Sequence, residues 1–428
     1  MHDNVGDQTM AKNETFWTSD GSHLPPIEPH TKAKHRLVEE YIQNWIVTLC
    51  GNNIGKRKKD IIVDGFCGGG MYRDPDNQEM WAGSPIRIIQ AVEKGLERVK
   101  KEKSKPNYEL QAKYIFIDSS REHLESLKIH MRGVGLEDYV SDSEKCEFLC
   151  GKFDQQLDRI LLEAKHSKCS SFFLLDPFGY TDVSMKNMRD IIRLGKSEIM
   201  YTFMIEFVIR FLKERDGKLR RAFQDILEAN GYYELTVNYE DTPAQQEYLK
   251  DQTLNLFRKR TTADFVYGFS LLHNQSRVKY YLIHLASSVV AQRVMKSAMW
   301  VQNNLDFLCQ HHDNVYGMGH KSIYYFEDQN LPRLFDVKET NTQACIDKLD
   351  EHLMPLIYGG DGIPFSDLEL KTIQTNPATF KHYVEFVNQQ RDAEEIEVIR
   401  DGKITTSKRI KPTDIILKAR YKQTKLFS

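Results

Sequence analysis

A doubly wound α/β sheet carrying a smaller appended domain is the fold class that this chain predicts, on three observations. Short apolar runs at 60–64, 114–118, 146–150, 171–175 and 198–203 alternate with stretches of helical spacing, the order that builds parallel strands joined by crossover helices. Three of those runs stop on a carboxylate, at Asp64, Asp118 and Asp176, and open α/β sheets gather their ligands at the carboxyl ends of strands. From Gly359 onward the alternation gives way to helix, helix and hairpin.

In order along the chain, Pro29 to about Cys50 has helical spacing, with Leu37, Tyr41, Ile42, Trp45 and Ile46 on one face and Lys32, Lys34 and Arg36 near its start. Asp60 to Asp64 is a short strand, followed at once by Gly65-Phe66-Cys67-Gly68-Gly69-Gly70, and Gly83-Ser84-Pro85 opens an Ile86-rich helix. The second strand, Tyr114 to Asp118, leads into an amphipathic helix from Arg121 to Met131 with Leu124, Leu127 and Ile129 among its apolar positions. The third, Cys146 to Cys150, precedes Gly151-Lys152-Phe153-Asp154 and a helix through Leu157, Ile160 and Leu161.

The fourth strand, Ser171 to Leu175, ends on Asp176-Pro177-Phe178-Gly179-Tyr180, and the fifth spans Glu198 to Phe203. The block 207–260 reads as a helical insertion or connection. Phe265–Leu272 and Lys279–Leu285, joined by the turn-prone Asn274 to Arg277, predict a closing hairpin on the same sheet.

A linking segment, 321–358, contains a helix around Thr342 to Leu356 and ends in Gly359-Gly360-Asp361-Gly362. Ser366 to Glu369 has the form of a capping box, Asn376-Pro377 starts a second helix with Phe380, Tyr383, Val384 and Val387 on one face, and Asp401-Gly402 turns a hairpin between Glu395–Arg400 and Lys403–Thr406. That order predicts a winged helix-turn-helix over 359–428. From Lys403 to Lys425 eight Lys or Arg stand against one acid, Asp414, which reads either as a footprint for phosphate backbones or as a solvated or protein-contacting tail.

Composition sets the outer bounds. The 428 residues, 40% apolar and 28% charged, suit a soluble globular protein of two or three domains. A net charge of -2 argues against a protein that is basic throughout and leaves room for a local basic patch. The seven cysteines are scattered without a CxxC pair, and no secretory signal opens the chain, so a reducing, cytoplasmic setting is expected. Cys146 with Cys150, and Cys309 with His311, His312 and His320, read as ordinary thiols and surface histidines, so no metal is expected. No apolar stretch reaches the roughly 20 residues that a membrane helix needs. Residues 1–22 are polar and read as a flexible N-terminus.

Glycines after a strand let a backbone approach a ligand, and a following helix offers unpaired N–H groups to a carboxylate or phosphate. The dinucleotide pattern G-x-G-x-x-G is not met by Gly65, Gly68, Gly69 and Gly70. The order of strand, glycine loop and strand-end acid resembles instead the class I methyltransferase fold, which implies S-adenosylmethionine on the first strand and its loop and places Asp118 at the end of the second strand. The Asp176 strand exit has two readings, a turn in which Asp176 caps the next segment, or acceptors and flat side chains aimed into a cleft.

Taken together, His30-Thr-Lys-Ala-Lys34-His35, D-G-F-C-G-G-G at 64–70, Gly83-Ser84-Pro85, Ile117-Asp118 and Leu174 to Tyr180 resemble the three-Cys-motif partner protein (TcmP) family over about residues 25–310. That resemblance implies a methyltransferase-like protein associated with a separate three-cysteine-motif protein, and it is compatible with a C-terminal winged helix. More distantly, the pattern is similar to ribosomal-RNA adenine N6-methyltransferases, which carry a Lys-His, an A-G-x-G loop, a G-S-P and a D-P-P-Y.

The resemblance implies S-adenosylmethionine as cofactor, with Lys34 and Ser84 on the methionine carboxylate, Asp64 and Gly68 at the methionine end, Asp118 on the ribose and Asp154 on the adenine amine. Gly65, Phe66, Gly70, Ser119 and Phe153 complete the implied cofactor set. Asp176 and the Pro177 carbonyl would accept hydrogen bonds from an exocyclic amine of a nucleic acid, DNA or RNA, with Phe178 and Tyr180 as stacking planes. Phe178 stands where the second proline of D-P-P-Y would be, and Gly179 precedes Tyr180.

Such an amine is a poor nucleophile, so a site must orient its lone pair and stabilise developing positive charge. Cys67 in the loop reads as small-residue packing rather than a nucleophile. Two functions follow. One is a methyltransferase acting on a nucleic-acid base amine, with the winged helix delivering substrate. The other is a non-catalytic or partner-dependent component of a mobile-element or anti-phage system.

Overall fold

The computed structural model describes residues 16–419 apart from 54, 56, 180, 207, 210–216, 234–242, 274–276, 303–306, 313–314 and 321–336. The chain divides into two units, Met1–Gln329 and Asn330–Ser428. In the first, the five apolar runs are strands: β1 (Arg57–Asp64), β4 (Glu109–Asp118), β5 (Cys146–Cys150), β6 (Ser170–Leu175) and β7 (Ser197–Phe203). A short hairpin, β2 (Met71–Arg73) with β3 (Met80–Ala82), lies between the first two outside the large sheet, with Arg73 bridged in parallel to Pro26.

The long hairpin, β8 (Phe265–His273) and β9 (Arg277–Ala286), joins the same sheet, and so do β10 (Phe307–His312) and β11 (Val315–His320). The nine strands run in the order β10-β11-β8-β9-β7-β6-β1-β4-β5. From β5 through β7 all pairs are parallel, and β9 enters antiparallel between β7 and β8. Numbered by their appearance in this sheet, β5 to β8 read 3-2-1-4-5-7-6, the order of a Rossmann-like class I methyltransferase sheet.

Continuous rather than alternating apolar runs are what a sheet covered on both faces requires. On one face Ile62, Phe116, Phe172, Leu174 and Met200 share a core with α1 (Pro29–Gly51) and α2 (Ser84–Glu102). On the other, Ile61, Val63, Ile117, Phe173, Leu175 and Tyr201 pack with α5 (Phe153–Ser167), α6 (Met185–Ile192) and α8 (Pro243–Thr261). The remaining helices of this unit are α3 (Arg121–Gly133), α4 (Glu137–Ser141), α7 (Lys218–Ile226) and α9 (Val289–Gln302). Among the described residues the 207–260 block is helical, as α7 and most of α8.

Helix α1 precedes every strand yet is held by the middle of the sheet. Tyr41 Oη and Trp45 Nε1 both donate to the Glu198 carboxylate of β7, the latter at 2.9 Å, and His284 Nε2 of β9 lies 3.3 Å from it. The N-terminal end of α1 is tied to the loop after β2, where Lys32 Nζ pairs with Asp74 and, at 3.0 Å, with Asp76.

Three differences from the sequence reading have physical causes. Residues 16–22, expected to be flexible, are placed because Trp17 is buried and Asp20 closes an Asx turn, accepting from Thr18 Oγ1 at 2.6 Å and the Ser22 N–H at 3.0 Å. Strands β10 and β11 extend the sheet where none was expected, and the side chains of Cys309, His311, His312 and His320, which they carry, lie outside the described residues. Among the described residues no group of three or more His, Cys, Asp or Glu is arranged to hold a metal ion, and no helix is long and apolar enough to cross a membrane.

The third difference lies in the second unit, which comprises α10 (Val337–Tyr358), β12 (Ile363–Pro364), α11 (Phe365–Thr372), α12 (Phe380–Asp392), β13 (Ile396–Arg400), β14 (Lys403–Ile404) and β15 (Ile415–Lys418). Helix α11 starts before Ser366 with Pro364 at its N-cap, so the Ser366–Glu369 capping box does not form, and Glu369 is buried. Helix α12 starts after Thr379, which makes the capping box with His382, while Asn376 is used to bond the Thr372 carbonyl and Tyr383 Oη, each at 2.8 Å. The hairpin turn falls at Asp401-Gly402, both residues having positive φ, and the four strands form one antiparallel sheet in the order β12-β15-β13-β14.

Candidate active site

The register sets the strand ends level. Asp64 lies opposite Phe116 of β4 and Leu174 of β6, so Asp118 and Asp176 each stand two residues beyond Asp64's partner, on one rim. The glycine loop is sewn between those strands: Gly65 N–H donates to the Leu174 carbonyl and Cys67 N–H to the Ile117 carbonyl, both at 2.9 Å. Gly68 donates to Asp118 Oδ2 at 3.1 Å. Gly68 and Gly70 take φ of 63° and 89°, which glycine adopts without strain.

Gly69 is required for a different reason. A Cβ there would stand 2.1 Å from the Trp17 ring, and one at Gly68 would stand 3.0 Å from it. Trp17, 3% exposed, lies against this loop and donates its indole N–H to the Met71 carbonyl. It meets His123 edge-on with centroids 5.1 Å apart, and Phe16 stacks on the same imidazole at 6.0 Å. Gly65 has Leu175 and Phe153 beneath it, and Phe153 is a core residue at the start of α5 that supports the loop and packs 5.9 Å from Phe66.

Asp118 is already hydrogen-bonded on both oxygens. Besides Gly68, it accepts from the Ser120 N–H at 2.8 Å, and His123 Nδ1 lies 3.0 Å from Oδ1. Ser119 beside it is exposed, as is Asp154 in the first turn of α5.

Asp64 is buried completely. Its Oδ1 accepts from the Phe66 N–H at 3.2 Å, whereas Oδ2 has no hydrogen-bond partner. Burial pushes its carboxyl up to about 7, opposed by the nearby Ser84 side chain and the Phe66 N–H and reinforced by the charges of Asp176 and Asp118. Ser84 opens α2 after the N-cap Gly83 and its side chain lies near Asp64; Pro85 has no N–H, so the first turn of α2 offers those of Ser84 and Ile86. Burial together with Asp64 and Asp118 holds the Cys67 thiol protonated, against any nucleophilic role.

Lys34, from the first turns of α1, forms an ion pair with Asp176 Oδ2 and is buried. The structure therefore brings together two residues for which the sequence implied separate ligands. Pro177 is buried, and Phe178 is 78% exposed. Tyr180 lies outside the described residues.

Sequence reasoning missed Trp17, Tyr72 and His123. Tyr72 packs edge-on against Trp17 with centroids 5.0 Å apart, and its phenol is raised by burial and by the carboxylates of Asp176 and Asp64. His35, buried and kept neutral by burial and the charges of Arg87 and Lys34, accepts from Trp81 Nε1 at 3.1 Å. Of these, only Trp17 offered a signal, as a lone Trp in a polar segment.

No protein-family model and no curated protein matches the chain. Among solved structures, it is similar to the O-methyltransferase from Bacillus cereus in complex with SAH, at 12% identity and a TM-score of 0.27, covering 58% of this chain and 80% of that one. Geranyl diphosphate methyltransferase in complex with GPP and sinefungin gives 12% and 0.24 over 57% and 78%. WbdD gives 10% and 0.32 over 76% of this chain and 54% of its own. At such values these likenesses carry no argument, and the fold assignment rests on the strand order and register.

Proposed function

We propose that the first unit is an S-adenosylmethionine-dependent methyltransferase acting on a base amine of a nucleic acid. The observation that carries this reading is the level rim of Asp64, Asp118 and Asp176 at the carboxyl ends of three adjacent parallel strands, with a glycine loop and the open N-terminus of α2 beside it. The free Oδ2 of the buried Asp64 fits a cationic donor, as the ammonium of the methionine moiety would be. The first-turn N–H groups of α2, Ser84 and Lys34 fit its carboxylate. Asp118 has Oδ2 capacity left for a ribose hydroxyl beyond its bond to Gly68.

The bound cofactor would supply an electrophilic methyl group. Asp176 and the Pro177 carbonyl would accept from the substrate amine, orienting its lone pair and stabilising the positive charge that develops on it. Phe178, turned to solvent at the rim, would offer a stacking plane to a base taken out of its helix.

The test is calorimetry of the purified full chain with S-adenosylmethionine, followed by methyl transfer to mixed DNA and RNA. Saturable binding at submillimolar affinity or tighter is expected, and Asp176→Ala should lower transfer by about 10²-fold or more while cofactor binding persists. Absence of binding at millimolar cofactor would overturn the reading, and so would binding without transfer to any nucleic acid.

A further inference from the structure

We propose that the loop from Thr405 to Pro412, in the second unit, is a preformed cationic ridge that binds the phosphate backbone of duplex nucleic acid. It deepens the functional reading above by naming a partner surface outside the methyltransferase-like unit.

Three successive carbonyls of this loop are tied inward by side chains from the neighbouring elements. The Ser407 carbonyl accepts from Arg391 of α12 at 2.8 Å, that of Lys408 from Asn388 of α12 at 3.1 Å, and that of Arg409 from Arg400 of β13 at 2.6 Å. Ile410 is buried as an apolar anchor. With the backbone drawn in and Ile410 beneath, the side chains of Lys408, Arg409 and Lys411 are exposed.

The one acid in this basic tract is already neutralised. Asp414 is fully buried, and Arg400 holds both of its oxygens, Nε on Oδ1 at 2.8 Å and Nη2 on Oδ2 at 2.7 Å, while the Lys411 N–H donates to Oδ2 at 2.7 Å. The charges of Lys408, Arg409 and Lys411 are therefore not taken up by Asp414. Among the described residues Lys408, Arg409 and Lys411 have no carboxylate within ion-pair distance. A groove of about 550 Å3 is lined by Phe380, Lys381, Val384 and Glu385 of α12 and by the loop from Arg409 to Pro412, with Glu385 as the single acid in its lining.

A groove carrying Lys381 from α12 and Arg409 and Lys411 from the loop matches the side chains that contact phosphate oxygens. A repeating polyphosphate engages several such cations at once, whereas a lone phosphate engages one or two. Because the loop is held by bonds formed without ligand, little ordering entropy is lost on binding.

The experiment measures binding of the full chain to a fluorescein-labelled 30-base-pair duplex of arbitrary sequence, by anisotropy at several salt concentrations. A K408A/R409A/K411A variant leaves Arg400, Asp414 and Ile410 in place. If each cation neutralises one phosphate, the slope of log K against log salt should fall in magnitude by about 2.7, at roughly 0.9 per phosphate, with affinity at low salt dropping tenfold or more.

An unchanged slope and affinity in a variant with native circular dichroism would overturn the proposal, as would equally tight binding of polyglutamate, which would make the loop a protein-docking surface. Cofactor calorimetry on the same variant separates this outcome from failure of the methyltransferase reading, because the substitutions leave the Asp64–Asp118–Asp176 rim untouched.

Discussion

At the scale of single residues, Lys34 and Asp176 matter most. In the structure the ammonium spends its charge on Asp176, and burial strengthens that pairing by removing competing water. If a ligand carboxylate takes Lys34, it does so in competition with Asp176, and that carboxylate is then free to accept from a substrate. Charge-assisted hydrogen bonds of this kind contribute roughly 1.5–3 kcal/mol. Lys34→Ala should therefore weaken S-adenosylmethionine binding by about ten- to a hundredfold, and Asp176→Ala should leave it unchanged or tighter. Calorimetry on the two variants checks this, and equal affinities for both and the parent would mean that Lys34 meets no ligand.

At the scale of elements, the glycine loop and the segment before α1 act as one piece. Gly69 lacks a side chain because Trp17 occupies that volume, so the loop's glycine content reflects an internal partner as well as any ligand. Gly69→Ala should displace the indole from its buried place and shift tryptophan emission to the red. Trp17→Ala should cost about 3–5 kcal/mol, typical of a buried aromatic truncated to alanine. Because both changes act on one contact, their combination should cost clearly less than the sum, and strictly additive denaturation midpoints would refute the coupling.

At the scale of the whole molecule, two aspartates buried on β1 set how stability responds to pH. Burial pushes the Asp60 carboxyl up to about 7, opposed by Lys58, whose Nζ lies 3.6 Å away, and neither carboxylate oxygen has a hydrogen-bond partner. Asp64 is raised to about 7 as well. Between the ordinary carboxyl value of 3.8 and about 7 the folded protein holds protons that the unfolded chain has released, so stability falls as pH rises through that window. His35, kept neutral in the fold, opposes this below its ordinary value of 6.5, but two carboxyls outweigh one imidazole. Thermal midpoints should thus decline from about pH 5 to pH 8, and Asp60→Asn, away from the rim, should flatten the decline and raise the midpoint at pH 8. A profile that Asp60→Asn leaves unchanged would show that Asp60 stays ionised.

Much of this fold was legible beforehand, for a physical reason: strands covered on both faces leave uninterrupted apolar runs, and a rim of acids follows wherever such runs stop on a carboxylate. The positions of Asp64, Asp118 and Asp176 were readable on that ground. Trp17, Tyr72 and His123 were not, because each acts through a partner from another segment and none belongs to a periodic pattern. Strands β10 and β11 escaped notice because glycine and histidine dilute their apolar content. The starts of α11 and α12 were misplaced because a capping residue is chosen by local geometry: Ser366 offered the right chemistry two residues after the N-cap Pro364, and Asn376 three residues before the N-cap Thr379.

The anchoring of α1 has a consequence for how the chain matures. Tyr41 and Trp45 reach Glu198 across sequence separations of 157 and 153 residues, and Lys34 reaches Asp176 across 142. During synthesis, then, the first helix leaves the ribosome with only its nearer partners, Asp74 and α2, soon to follow, and its ties to Asp176 and Glu198 wait for β6 and β7 to be made. Long-range closures of this kind are slow. A nascent chain halted after β5 would hold the glycine loop with Asp64 and Asp118 but neither the Lys34–Asp176 ion pair nor the Glu198 carboxylate that fix the helix over it, so the candidate site cannot close until β7 has been made.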